Sequence, residues 1–335
     1  MKIDLDGVNA PVSLPDELRH RILRLRHITG FVTTFGEEQD PRVKVFARLW
    51  HVQRVTSLAR QLATDSDSVD LDRIIGLAWM HDLNRWPFAH NIERGSFDQA
   101  ANVADYFEGL GLPGRDISDL GGIHRKDLLS LSPEARVVLF ADALTGIVED
   151  LLFAVTGLNV HPRLIPDDID ALLGYALKKD PLLSECRALT EQFHDARFPD
   201  VELYCAGFNS LFQELVQRFL SHHHVYDIEQ DYPGVFDIAR MVKETFTRPV
   251  IFPINNERVC RSSWLRHKVL PWYFQMKGGS RARLLEMDET QFVDEVTSAP
   301  HSPFTRTEFV PDIDVVQREL PHLAFVNAGP GTRQR

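Results

Sequence analysis

Cysteine is nearly absent from this chain: Cys186, Cys205 and Cys260 are the three among 335 residues, and no two form a C-x-x-C pair. An odd, scattered set excludes a disulfide-stapled secreted fold and predicts reduced thiols that pack as small hydrophobes. Long apolar runs are missing as well. The stretch from Leu144 to Leu158 is broken by Glu149 and Asp150, well short of the ~20 apolar residues of a membrane span. Met1 to Pro11 carries Asp4 and Asp6 where a secretory leader has basic and then apolar residues. A cytoplasmic chain with no membrane partner is the expectation. Gly109-x-Gly111 and Gly278-Gly279 lack any Walker or dinucleotide surroundings and read as turn or cap glycines.

Excess positive charge is lacking too. Lys and Arg number 37 against 48 Asp and Glu, a net charge of −11. Such a surface repels phosphate backbones, so nucleic acid is disfavoured as a partner unless the cations are gathered. Some are gathered: Arg240 to Glu286 carries a local +7, leaving −18 for the remainder, and includes Trp264, Trp272, Tyr273 and Phe274. Basic residues interleaved with aromatics suit stacking and phosphate contact. A basic face docking on the acidic remainder or on a second subunit is the competing reading, which also allows a homo-oligomer.

What is abundant is helical periodicity. From Val43 to Ala63, Val45, Leu49, Val52, Ala59 and Leu62 draw one apolar stripe, with His51 beside it. Asp70 or Asp72 caps a second helix that runs through Ile74, Leu77 and Met80 to His81-Asp82 and stops before Pro87. Ser96 to Leu110 reads as a third. Ser132-Pro133-Glu134 opens a fourth, striped by Val137, Ala141, Leu144, Val148 and Leu151 with Asp142 in its middle. Further helices are expected at Asp167 to Lys178, Glu202 to His222 and Val235 to Thr245. Pro249 to Ile254 and Phe304 to Val310 look extended. The fold class is therefore mainly α, with at most a small β element late in the chain.

One ordered set carries chemistry: His51, then His81-Asp82, then Asp142. Imidazole nitrogens with carboxylate oxygens suit one divalent ion such as Mn, Mg, Fe, Co, Ni or Zn and leave positions open for water and substrate. An ionised Asp142 inside an apolar helical run needs a cation or water. Neighbours on a helix point ~100° apart, so His81 and Asp82 can share an ion only at a helix end. Taken singly, each residue has an ordinary structural reading, as His194-Asp195 illustrates; the order, with three helices supplying the set, sets it apart. His222-His223-His224 reads as charge at a helix C-terminus and not as a metal tract.

Arg48-Leu49-Trp50-His51, His81-Asp82-Leu83-Asn84-Arg85-Trp86-Pro87-Phe88-Ala89-His90 and the helix from Ser132 to Ala141-Asp142 together resemble the HD-domain metal-dependent phosphohydrolases. The Arg-x-x-His, His-Asp-Leu and Pro-Phe-x-His pattern is most similar to their dNTP triphosphohydrolase branch. About residues 40 to 155 are covered. The resemblance implies a helical bundle core with His51, His81, Asp82 and Asp142 on one divalent metal, and Arg48 on a phosphate. In that branch a His follows the His-Asp-Leu-Gly motif and another lies in the next helix; here Asn84-Arg85 and Asp98-Gln99 stand in those places. His90 and His124 are then the candidate general acids, Glu93 orients a His or the water, and Arg85, Arg125 and Lys126 add charge for phosphate.

The implied organisation is an N-terminal segment over 1–40, the HD core over 41–225, a mostly helical basic accessory region over 226–326 and a disordered Gly/Pro-rich tail over 327–335. The implied function is hydrolysis of a nucleotide or related small phosphate ester by water attacking phosphorus. A catalytically weak module that binds nucleotides or single-stranded nucleic acid is the alternative.

Overall fold

The structure, a computed structural model, describes residues 3–5, 8–10, 16–29, 45–63, 69–93, 95–156, 200–222, 234–237, 240, 256–276, 279–307 and 309–321. It is mainly helical, as the periodicity predicts. Strand pairing among the described residues is confined to an antiparallel pair, β1 (Ile3–Leu5) with β2 (Val8–Ala10), Asp4 opposite Asn9. Of the two late stretches that look extended, one is described, and it holds no strand among its described residues. Residues 304–307 and 309–310 form turns and bends, because Phe304 and Phe309 are buried as anchors of an apolar core and not as one face of a sheet. Pro249 to Ile254, Asp167 to Lys178, the 327–335 tail and most of Val235 to Thr245 lie outside the described residues.

The helices follow in order. After α1 (Asp16–Arg24) comes α2 (Arg48–Ala63), which buries Leu49, Val52, Val55, Leu58 and Ala59 along one stripe. α3 (Leu71–Met80) is capped by Asp70, whose carboxylate accepts from the Arg73 N–H at 3.1 Å. α4 (His90–Glu93) and α5 (Val103–Glu108) are short. The helix expected from Ser96 to Leu110 survives only as α5. Asp98 turns its side chain onto the Ala101 N–H (3.1 Å) and so holds the preceding residues in a turn.

α6 (Gly114–Arg125), which buries Leu120 and Ile123, falls where the periodicity reading placed no helix. Its Gly122 permits a close approach, since a Cβ there would lie 2.5 Å from Leu131 Cδ2. α7 (Pro133–Thr156) starts as predicted, with the Ser132 hydroxyl accepting from the Ala135 N–H at 3.3 Å. α8 (Val201–His222) closes the first half. The C-terminal region holds α9 (Asn256–Trp264), a π-helical turn Leu265–Val269, α10 (Leu270–Gln275), α11 (Arg281–Leu284), α12 (Glu289–Ser298) and α13 (Ile313–Glu319).

α7 is the axis of the first core: α2, α3, α6 and α8 all pack on it. Buried side chains run from Leu18 and Ile22 of α1 to Phe208, Phe212 and Phe219 of α8. Arg73 of α3 fixes the geometry by binding Asp116 Oδ1 (2.9 Å) and Asp119 of α6 and Glu134 Oε2 (2.6 Å) of α7. One guanidinium thereby aligns three helices at the end of the bundle where α3 begins. A second core joins Trp86, Phe88 and Ile92 to Leu265, Tyr273, Phe292 and Val296. The segment just after His81-Asp82 thus leaves the first core and is anchored in the C-terminal one. Each large apolar side chain buried this way contributes about 1.5–3 kcal/mol.

Candidate metal centre

The end of α3 turns two adjacent side chains toward one place. The helix stops at Met80, and His81 follows in αR conformation with its N–H on the Leu77 carbonyl at 2.9 Å. Facing it are His51 from α2 and Asp142 from α7. The His51 Nε2 lies 3.1 Å and the His81 Nε2 3.7 Å from Asp142 Oδ1. One donor atom from each of the three residues falls within 4.8 Å of the others, a group that could hold a metal ion. An ion bound at about 2.0–2.2 Å spaces its donors by about 3–4 Å, as the two histidines are spaced from Asp142.

Orphaned polar atoms give the same answer. The His81 Nδ1–H donates to the Ala78 carbonyl at 2.7 Å, which leaves Nε2 as the lone-pair nitrogen. That Nε2 is buried and accepts no hydrogen bond. Burial pushes the His81 pKa down, keeping the ring neutral as a ligand must be.

Asp82 sits against both histidines, its Oδ2 at 3.8 Å from His51 Nε2 and 4.0 Å from His81 Nε2. It is also claimed from the other side. Arg48 Nη2 forms an ion pair with Oδ2, without a directed hydrogen bond, and Arg85 Nε donates to Oδ1 at 2.8 Å. Arg48, expected on a phosphate, therefore rests on a carboxylate; burial, with Arg85 nearby, lowers its pKa to about 10, so it stays cationic at neutral pH.

The remaining expected residues divide. Glu93 is buried with both oxygens committed, Oε2 to Arg85 Nη1 (2.9 Å) and Oε1 to the Trp86 N–H (3.0 Å). It locks the turn, and its Oε2 also lies 3.5 Å from His90 Nδ1. His90 lies at the rim with 70% of its side chain exposed, Nδ1 3.2 Å from Arg85 Nη1 and 3.5 Å from Glu93. His124 is beside the centre, since the charges of Arg85, His81 and Asp142 all act on it, and its Nε2 is buried without a partner. Burial first, and then the charge of Arg85, push its pKa down to about 3, against the opposing pull of Asp142. Arg125 and Lys126 occupy the exposed C-terminal end of α6, where Lys126 takes a left-handed φ of 58° and lies 5.4 Å over the Phe236 ring.

Sequence reasoning missed what stands behind His51. Its Nδ1–H donates to Glu149 Oε2 at 2.8 Å, and Glu149 Oε1 accepts from Arg54 Nη1 at 2.6 Å. Arg54 is itself buried and held by Asn209 Oδ1 (3.0 Å) and the Val45 carbonyl (2.5 Å). The signals were present: Glu149 follows Asp142 by seven residues on one face of α7, and Arg54 follows His51 by three on α2. A carboxylate behind a ligating imidazole fixes its tautomer and raises its basicity.

Burial opposes the Glu149 charge, but His51 and Arg54 lower its pKa from 4.5 to about 2. Its contribution to stability is therefore present above pH 4.5 and lost as pH falls toward 2. Glu149→Gln is expected to weaken divalent-ion binding by about 10–100-fold, read by calorimetric titration with manganese. Unchanged affinity would mean that Glu149 only packs.

Asn84 and Gln99 form an amide pair beside Asp82. Asn84 Nδ2 donates to the Gln99 carbonyl (3.0 Å), and Gln99 Nε2 donates to Asn84 Oδ1 (2.9 Å) and Asp82 Oδ1 (3.3 Å). No helix among the described residues is long and apolar enough to cross a membrane. Comparison of the chain with family models, with curated proteins and with solved structures finds no match.

Proposed function

We propose that this chain is a metal-dependent phosphohydrolase of the HD type, acting on a nucleotide or related small phosphorylated molecule. The observation that carries the reading is the convergence of His51, His81 and Asp142 within 4.8 Å, with a lone-pair nitrogen of His81 buried and unbonded. His51, His81 and Asp142 would hold one divalent ion, with Asp82 beside them. When bound, such an ion lowers the pKa of water toward ~7 and polarises a phosphoryl oxygen.

The chain's own side chains supply the rest. Glu149 and the Ala78 carbonyl keep the Nε2 atoms of His51 and His81 turned toward the centre. Arg48 and Arg85 place two guanidiniums beside Asp82, permanent positive charge next to the space a phosphoryl group would enter. Phosphoryl transfer asks chiefly for positioning and charge of this kind.

The test is metal analysis of the purified protein, followed by a panel of nucleoside mono-, di- and triphosphates assayed with manganese and with magnesium. About one bound ion per chain and release of phosphate, pyrophosphate or tripolyphosphate is the expected result. A chain that binds no divalent ion and releases none of these products overturns the proposal.

A further inference from the structure

Arg54 is 3% exposed, yet each of the three nitrogens of its guanidinium group reaches a different part of the fold. Nη1 donates to Glu149 Oε1 of α7 at 2.6 Å, Nη2 to the Val45 carbonyl ahead of α2 at 2.5 Å, and Nε to Asn209 Oδ1 of α8 at 3.0 Å. Two rings of α8 face the same group, with the centroids of Phe208 and Phe212 at 5.0 Å and 5.5 Å from its Cζ. α8 therefore meets the guanidinium through three side chains.

Stability alone does not account for this arrangement. Taking two opposite charges out of water costs about as much as their attraction returns, and an apolar pair of similar volume often serves a core as well or better. What the pair supplies here is direction. A guanidinium is a rigid planar fork, so holding two of its arms aims the third. Val45 and Asn209 hold two arms, and the third meets Glu149 Oε1. The other oxygen of that carboxylate, Oε2, lies 2.8 Å from His51 Nδ1. Glu149 is thus pinned at both oxygens, one on the fork and one on the imidazole. The opposite nitrogen of the same ring is the one 3.1 Å from Asp142 Oδ1.

We propose that Arg54 is a positioning residue of the metal centre, and that α8 acts on the centre through it. The proposal rests on the reading of His51, His81 and Asp142 as ligands of one divalent ion, and it extends the site to a helix that supplies none of them. Arg54 holds the Glu149 carboxylate in one rotation about its terminal bond, and Glu149 holds the His51 ring in one plane. A ring already held in place loses less freedom when an ion binds. Losing the group behind a ligating imidazole costs about 10–100-fold in metal affinity, and Arg54, one group further back, belongs at the lower end of that range.

The test is a double-mutant cycle on the full chain, read by calorimetric titration with manganese, with helicity and the urea midpoint measured for each variant. Arg54→Met is expected to weaken manganese binding about tenfold. In the Glu149→Gln background the same substitution is expected to change affinity by less than about twofold, because the carboxylate it acts through is already gone. That double variant leaves no buried charge unpaired and so is expected to keep its fold. Arg54→Lys keeps the charge and loses the fork, and is expected to recover only part of the affinity. Asn209→Ala removes one anchor and leaves the ion pair, so affinity should move in the same direction by a smaller factor, and this variant carries the test if Arg54→Met does not fold.

A purely structural Arg54 would lower the urea midpoint in both backgrounds and leave manganese affinity alone. Unchanged affinity in Arg54→Met, losses that multiply in the double variant, or full recovery by Arg54→Lys overturns the proposal and leaves the metal centre standing. Unchanged affinity in Asn209→Ala overturns the part given to α8. A wild-type chain that binds no manganese overturns the metal reading and the proposal with it.

Discussion

Asp142→Asn is expected to release the bound divalent ion and reduce hydrolysis by at least ~10³-fold, the loss that follows when the ion's activation of water goes with it. Asn keeps the shape of Asp and removes the charge. In the native centre that charge is the one both imidazoles face, at 3.1 Å and 3.7 Å. Without it, two neutral nitrogens remain, and Asp82 is already held by Arg48 and Arg85. A neutral amide oxygen is a poor substitute ligand for a divalent ion next to two guanidiniums. The fold should survive, since Asp142 keeps 30% of its side chain exposed and is not part of the apolar core. Metal content by elemental analysis, helicity by circular dichroism and product release therefore separate three effects. Full metal content in the variant would remove Asp142 from the ligand set.

What could be read in the sequence and what could not differ for a physical reason. Long helices with an apolar stripe were legible, so α2, α3, α7 and α8 fall where periodicity places them, and their caps at Asp70 and Ser132 are the ones used. The convergence of His51, His81 and Asp142 was legible because one ligand per helix and a helix end at His81 leave few other arrangements. Helices whose bounds depend on tertiary contacts or local side-chain bonds were not. α5 begins late because Asp98 and Asn102 prefer local hydrogen bonds, and α6 depends on packing across Gly122.

The roles of the charged residues were the least legible. Arg48, Arg85 and Glu93 read as free agents in one dimension, yet in three they neutralise one another and Asp82. Glu149, which the sequence presented only as an interruption of an apolar run, stands behind a candidate ligand. Pairing between distant segments is invisible to local pattern, and it is pairing that decides which charges remain available.

Arg24→Met is expected to cost about 3 kcal/mol of stability and to loosen the C-terminal region, because one buried guanidinium joins three parts of the chain. Its Nη2 donates to the Leu83 (2.7 Å) and Arg85 (2.9 Å) carbonyls, and its Nη1 to Met287 (3.0 Å) and Leu284 (3.4 Å). Burial lowers the Arg24 pKa, and the side chain is 7% exposed. A methionine fills the volume and leaves four carbonyls without their donor.

Nearby, Glu289 at the start of α12 accepts from the N–H groups of Thr29 (2.7 Å) and Phe88 (3.2 Å). The latter residue has a left-handed φ of 61° that a side chain adopts only under constraint. The N-terminal helix and the C-terminal region therefore grip the same loop, residues 83 to 88, whose Arg85 bears on Asp82. Native unfolding in urea should be a single transition reported equally by the C-terminal tryptophans and by overall helicity. In the variant the midpoint should fall, proteolysis should begin beyond residue 255, and kcat should drop while the metal affinity of His51, His81 and Asp142 is retained. A wild-type chain that melts in two separated steps, or a variant as stable as the parent, would mean that this clasp does not couple the two cores.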